Sequence, residues 1–218
     1  MISRKENIQD IATARRMEAV KIYTDSALLN PDLTPAEKIK LANLNQHNRL
    51  SIIKRIQRHT LEHLFLKKPD VFFTKSYHYD WWVFPMHVPI EWNWPSRNYD
   101  ASIDLDEAKI LLYDGEFVKT YLSCVSMYVE ALKTHGWNDY PVRYARMLQS
   151  MSLFINAARH IKNEFDDYEL ICNQAELAVD YAAKHVIANY PDYPLLIDGF
   201  NKTMDELSRC NEILVLHK

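Results

Sequence analysis

Glycine is nearly absent from this chain: three residues in 218, at Gly115, Gly136 and Gly199. Tight β-turns, dinucleotide-binding turns and phosphate loops use glycine for positive φ or close backbone approach. The scarcity argues against a nucleotide-binding α/β fold, and neither G-x-x-x-x-G-K nor G-x-G-x-x-G occurs. Cysteine is scarce too. Cys124, Cys172 and Cys210 are odd in number, far apart and form no C-x-x-C pair. That pattern fits free thiols in a reducing cytosol. No run approaches the ~18 apolar residues of a membrane span. The opening MISRKENIQD lacks the apolar core of an export signal. The expected location is the cytoplasm.

What is present suits a globular protein: 48% hydrophobic and 25% charged residues. The length allows one large domain or two small ones. The net charge of −3 hides an asymmetry, since residues 1–68 hold 13 Lys+Arg against 7 Asp+Glu and the remainder holds 13 against 22. A basic arm can meet nucleic acid or an acidic partner. Basic and acidic residues interleave here, so the favoured reading is a basic helical extension packed on the chain's own acidic half. The expected organisation is an extension over 1–68 and a helical core over 69–218, forming one compact unit.

Helical spacing recurs along most of the chain. Residues 5–29 place Ile8, Ile11, Ala12, Val20, Tyr23 and Ala27 in such a pattern. Thr34, Pro35 and Glu37 form a start signal for a helix to about Lys68, with Ile53, Ile56, Thr60 and Leu64 on one face. Asp104 is placed to cap a helix through Tyr113. Phe117, Tyr121, Val125, Tyr128 and Leu132 stripe the next, which stops at His135-Gly136. Pro141 opens another, with Leu148, Met151 and Ile155 inward. Residues 167–189 read as a helix carrying Leu170, Leu177, Ala178 and Tyr181. After the break YPDYP, Leu196, Phe200, Met204 and Leu207 stripe the last. The expected fold is all-α, about seven helices packed orthogonally around one core. A long segment rich in aromatics and proline, 69–103, interrupts them; its VFF and WWVF stretches read as short strands.

Two stretches carry titratable groups in patterns that suggest chemistry. The first is IQRHTLEHLFLKK, in which His59-x-x-Glu62-His63 matches the H-x-x-E-H of inverted zinc peptidases. Histidines at i and i+4 share a helix face, and Glu62 would act as base on metal-bound water. Glu130 is a conceivable third ligand. The resemblance spans about a dozen residues, and the chain lacks the size and the glycines of that α/β family. The preferred reading is a solvated helix face, with no metal and no cofactor.

The second is the aromatic stretch HYDWWVFP, residues 78–85. Aromatic side chains bury large areas and give a ligand a stacking surface. His78, Asp80, Trp81, Arg97 and Tyr99 are the candidate ligand-binding residues. Trp81 would stack, Arg97 would hold negative charge, and His78 would donate a hydrogen bond or move a proton. Phe84-Pro85 would be structural, with Phe84 buried.

Three motifs in order add a resemblance. His78, Trp81, Phe84 and Pro85 form H-x-x-W-x-x-F-P. Arg97 and Tyr99 lead to LDEA, with Asp106, Glu107 and Ala108. Ser150, Met151, Leu153 and Phe154 lie in QSMSLF. Over about residues 77–157 the chain resembles a small all-α bacterial family of unknown function, often mislabelled "calpastatin" in genomes. It departs from that pattern with Met86 after Phe-Pro, and keeps Arg146 as the basic residue before the third motif. The Phe-Pro element also resembles the conserved region of the opioid growth factor receptor. The first resemblance implies an all-α compact domain and brings no activity with it. The sequence names no reaction, so whether the chain is an enzyme stays open. The expected function is a cytosolic binding or regulatory module with a polar-aromatic pocket for a small anionic ligand or a peptide. The alternatives are an interaction protein that meets protein or nucleic acid through its basic N-terminal helices, and a zinc hydrolase.

Overall fold

A computed structural model describes residues 49–66, 80–89, 101–135 and 141–216. Of these, 81% are helical, in seven α-helices and with no strands among the described residues. The helix expected over 5–29 and the VFF stretch lie outside the described residues.

Helix α1, Arg49–Thr60, continues as a π-turn over Leu61–Phe65. Leu50 and Ile53, N-terminal to residue 68, lie in the same core cluster as the later helices. The WWVF stretch, read from sequence as a strand, is instead one helical turn, α2, Asp80–Val83. A lone extended segment has no neighbour to satisfy its backbone. The turn satisfies part of that demand locally, and Gln57 of α1 donates to the Val83 carbonyl at 2.9 Å. The chain then runs extended beside 101–103, with Ile103 N–H donating to the Met86 carbonyl at 3.2 Å and Val88 N–H to Ser102 Oγ at 3.0 Å.

Helix α3, Leu105–Leu112, starts at the expected cap. Glu107 N–H donates to Asp104 Oδ1 at 2.8 Å and Asp104 N–H to Glu107 Oε2 at 3.0 Å, a reciprocal capping box. Helix α4, Gly115–His135, begins at Asp114, whose Oδ1 accepts from the amides of Glu116 and Phe117. All five residues of its expected stripe are buried.

Helix α5, Pro141–His160, is the axis of the fold: 14 of its 20 residues are buried, and α3, α6 and α7 all pack on it. Phe154 packs its ring 4.7 Å from Tyr121 of α4 and 5.5 Å from Phe117. Tyr121 donates to Ser150 Oγ, and Tyr144 to the Ala178 carbonyl at 2.7 Å. Helix α7, Pro194–Leu216, packs closely on α5 at Gly199. A Cβ there would sit 3.1 Å from the Ala145 carbonyl oxygen and 3.2 Å from Leu148 Cβ. Close packing of the two backbones is what requires glycine here.

Helix α6, Tyr168–Tyr181, ends in a π-turn, Ala182–Val186, and a 3₁₀ turn, Ile187–Asn189. Its inward face differs from the expected stripe. Ala178 and Tyr181 are buried, but Leu170 and Leu177 are exposed. Tyr168, Ile171, Cys172, Ala175 and Ala182 face the core instead. Small side chains suit this face because the Tyr144 ring already occupies the space against α6. On α7, Leu196 and Leu207 are buried as expected, whereas Met204 is exposed and Thr203 takes the inward place. Thr203 Oγ1 donates to the Leu148 and Gly199 carbonyls.

Candidate functional site

Of the residues singled out from the sequence, His78, Arg97 and Tyr99 lie outside the described residues, and Asp80 is described in its backbone alone, as the first residue of α2. Trp81 is buried, 6% exposed. Its ring carries a guanidinium: Arg146 Cζ of α5 stands 3.0 Å from the ring centroid. Arg146 is itself buried, 8% exposed, so this cation–π contact is largely withdrawn from water, where such contacts are strongest. The guanidinium on the Trp81 ring thus comes from Arg146, which lies far along the chain from Trp81. Phe84 is fully buried as expected, with its ring 5.6 Å from Tyr128. Trp81, Met86, Val88 and Ala101 form a small apolar cluster of their own, against which Trp82 and Leu195 pack.

Beside this cluster the chain between Met86 and Val88, both buried, turns His87 outward. His87 overlooks a groove of about 330 Å³ between α5 and α7, lined also by Gln149, Ser152, Asn156, Lys202 and Glu206. Gln149 Nε2 donates to Asp198 Oδ2 at 2.6 Å, and Lys202 Nζ pairs with the same oxygen at 2.7 Å. Burial alone would raise the Asp198 carboxyl; the hydrogen bonds from Lys202 and Gln149 outweigh it and hold the pKa below the ordinary value. Glu206, 8% exposed, is held between Arg159 Nε at 3.3 Å and Arg209 at 2.7 Å. Tyr193 lies near Arg146; burial raises its hydroxyl and the positive charge of Arg146 partly opposes that. A larger groove of about 540 Å³ runs between α4 and the start of α6, lined by Val118, Leu122, Met127 and Leu170 among others. Trp81 lines neither groove.

The helix face read as a zinc motif takes the expected shape in one respect. His59 and His63 bring their rings to 4.5 Å between centroids, and both are exposed together with Arg58 and Glu62. Glu62 stands 3.9 Å from His63 Nε2. Glu130 pairs with Lys133 on α4. Among the described residues no three His, Cys, Asp or Glu side chains stand where they could share a metal ion, so Glu130 does not join the two histidines.

The basic excess of 1–68 is concentrated in and just after α1. Two of its cations face the chain's own acids: Lys54 Nζ pairs with Asp114 Oδ2 at 2.6 Å, and Arg58 with Glu116 at 2.5 Å. Among the described residues no helix is long and apolar enough to cross a membrane.

Sequence reasoning missed the α5–α7 groove. Its signal was the polar set Lys202, Glu206 and Arg209, which shares one helical face of α7 beside the apolar stripe. No known protein family, curated protein or solved structure matches the chain. The resemblance over residues 77–157 therefore rests on its motifs alone.

Proposed function

We propose that the chain is a cytosolic binding module whose ligand is a peptide, taken in the groove between α5 and α7. The observation that carries this reading is the groove's charge: Lys202 and Arg209 face it with Asp205 and Glu206. A lining balanced in sign does not concentrate a small anion. It does offer donors and acceptors at once, which an extended peptide's own amides and carbonyls complement. His87 supplies an exposed ring that can donate or accept a hydrogen bond at this edge. The buried stack of Trp81 and Arg146 supports the groove from behind: it fixes α2 on α5 and so fixes the segment that presents His87.

A fluorescent peptide library screened by anisotropy against the full chain tests this. His87→Ala and Lys202→Ala alter exposed side chains, so both should leave the melting temperature unchanged and weaken the selected peptide roughly tenfold or more, the loss of ~1.4 kcal/mol. Binding that survives both substitutions, or that inorganic phosphate displaces, would overturn the reading.

A further inference from the structure

The far end of α1 carries two exposed histidines, and the backbone there departs from an α-helix. The α-turns stop at Thr60, and a π-turn follows over Leu61–Phe65, closed by Leu66 N–H on the Leu61 carbonyl at 3.1 Å. An α-helix completes a turn in about 3.6 residues, so position i+4 oversteps position i round the axis. A π-turn takes more residues and removes that overstep. His63 is thereby brought over His59: the ring centroids are 4.5 Å apart and the ring planes tilted by 47°. Both rings face solvent, while the backbone beneath them is pinned. Ile53, Gln57 and Thr60 are fully buried, Gln57 donates to the Val83 carbonyl, and Thr60 Oγ1 donates to the Ile56 carbonyl at 2.8 Å. The surrounding charge does not shut out a cation. Arg58 pairs with Glu116 of α4, and Glu62 Oε2 stands 3.9 Å from His63 Nε2. Arg55 lies one turn earlier and exposed, where salt and water screen it.

We propose that His59 and His63 are a two-imidazole chelate for a late first-row divalent cation, copper(II) ahead of nickel and zinc. Neutral imidazole nitrogen suits these ions. Two donors on one held turn differ from two separate histidines. Once one nitrogen is bound, the second is already at hand, at an effective concentration set by the turn. Water fills the remaining positions. Two protein donors impose little geometry, so affinity follows the intrinsic order of the ions, in which copper(II) stands highest. Magnesium and calcium require oxygen ligands and are refused. The Glu62 carboxylate, beside His63, serves as acceptor for a metal-bound water and not as a ligand. This is not the three-ligand centre of a zinc hydrolase. Glu130 pairs with Lys133 on α4, and among the described residues no third His, Cys, Asp or Glu side chain joins the pair. The chelate stands apart from the groove between α5 and α7 and does not depend on what that groove binds.

The experiment titrates the untagged full chain with copper(II) by calorimetry, and pulsed electron paramagnetic resonance counts the imidazoles on the ion at one equivalent. The expected result is one tightest site per chain with two imidazoles. His59→Ala and His63→Ala should each weaken that site roughly tenfold or more and leave one imidazole on the ion, because either loss abolishes the chelate. The double variant should bind little worse than either single one. Nickel and zinc should occupy the same pair more weakly, and magnesium should not compete. His160→Ala, at another exposed histidine, should change nothing. The altered side chains are exposed, so melting temperatures should hold, and His59→Gln and His63→Gln repeat the comparison where alanine disturbs the π-turn. The imidazole count on the wild-type chain decides even without a variant. The proposal is overturned if the wild type shows a single imidazole, if either alanine variant keeps the tightest site within about tenfold of wild type, or if His160→Ala weakens it as much; copper is then an adventitious surface ion only.

Discussion

The two sides of α5 are both buried, and they are built differently. On the side toward α4 and α6, Tyr144, Met151, Phe154 and Ile155 fill space with apolar and aromatic surface. On the side toward Trp81 and α7, Arg146, Gln149 and Ser152 are almost as deeply covered but polar. The first side holds the fold by area removed from water, which is non-directional. The second holds it by partners at fixed geometry: Arg146 on the Trp81 ring, Gln149 on Asp198, and Ser152 Oγ donating to the Gln149 carbonyl at 2.9 Å. A helix covered all round need not be apolar all round, provided its buried polar groups are satisfied. The polar side sets orientation, and it is where the groove opens.

Three substitutions on α5 would sharpen that contrast. The largest effect belongs to the apolar side. Phe154→Ala should cost about 3–5 kcal/mol, as large aromatic truncations in packed cores do, and a urea melt should show it as a fall in midpoint at unchanged slope. Arg146→Met keeps most of the aliphatic stem and removes the charge. A desolvated cation–π contact contributes roughly 2 kcal/mol, so the loss should be smaller than at Phe154 and should come with altered tryptophan emission as the indole environment changes. A loss matching that of Phe154→Ala would mean that the guanidinium supports the core as a whole. Ser152→Ala should be the mildest, within about 1 kcal/mol, because a single net hydrogen bond contributes little. If that order reverses in thermal or chemical melts, the division of labour between the two sides is wrong.

How much of this the sequence disclosed depended on whether the information was local. The buried stripe of α4, the start of α5 at Pro141 and the cap at Asp104 were legible, because each rests on residues within a turn or two of one another. The approach of His59 and His63 was legible for the same reason. The partner of Trp81 was not, since a stack between residues 81 and 146 leaves no trace at either position. The inward faces of α6 and α7 misled in an instructive way. Reading the largest apolar residues as core put Leu170, Leu177 and Met204 inside, whereas close approach of neighbouring elements favours Cys172, Ala175, Ala178 and Gly199 there. Size marks the core only where the gap between elements is wide. The groove was missed because its polar lining resembles a solvated face until a second helix is laid against it.

Asp114 belongs to both kinds of contact at once. Its Oδ1 bonds to amides two and three residues ahead, and its Oδ2 holds Lys54 across 60 residues of chain. Closing a long loop costs entropy that closing a short one does not, and contacts distant in sequence form more slowly than local ones. The bonds at the start of α4 therefore cost little chain entropy and orient the carboxylate, so that the long-range pair with the lysine of α1 meets an anion already held in place. The cap of one helix thereby becomes the landing mark for another.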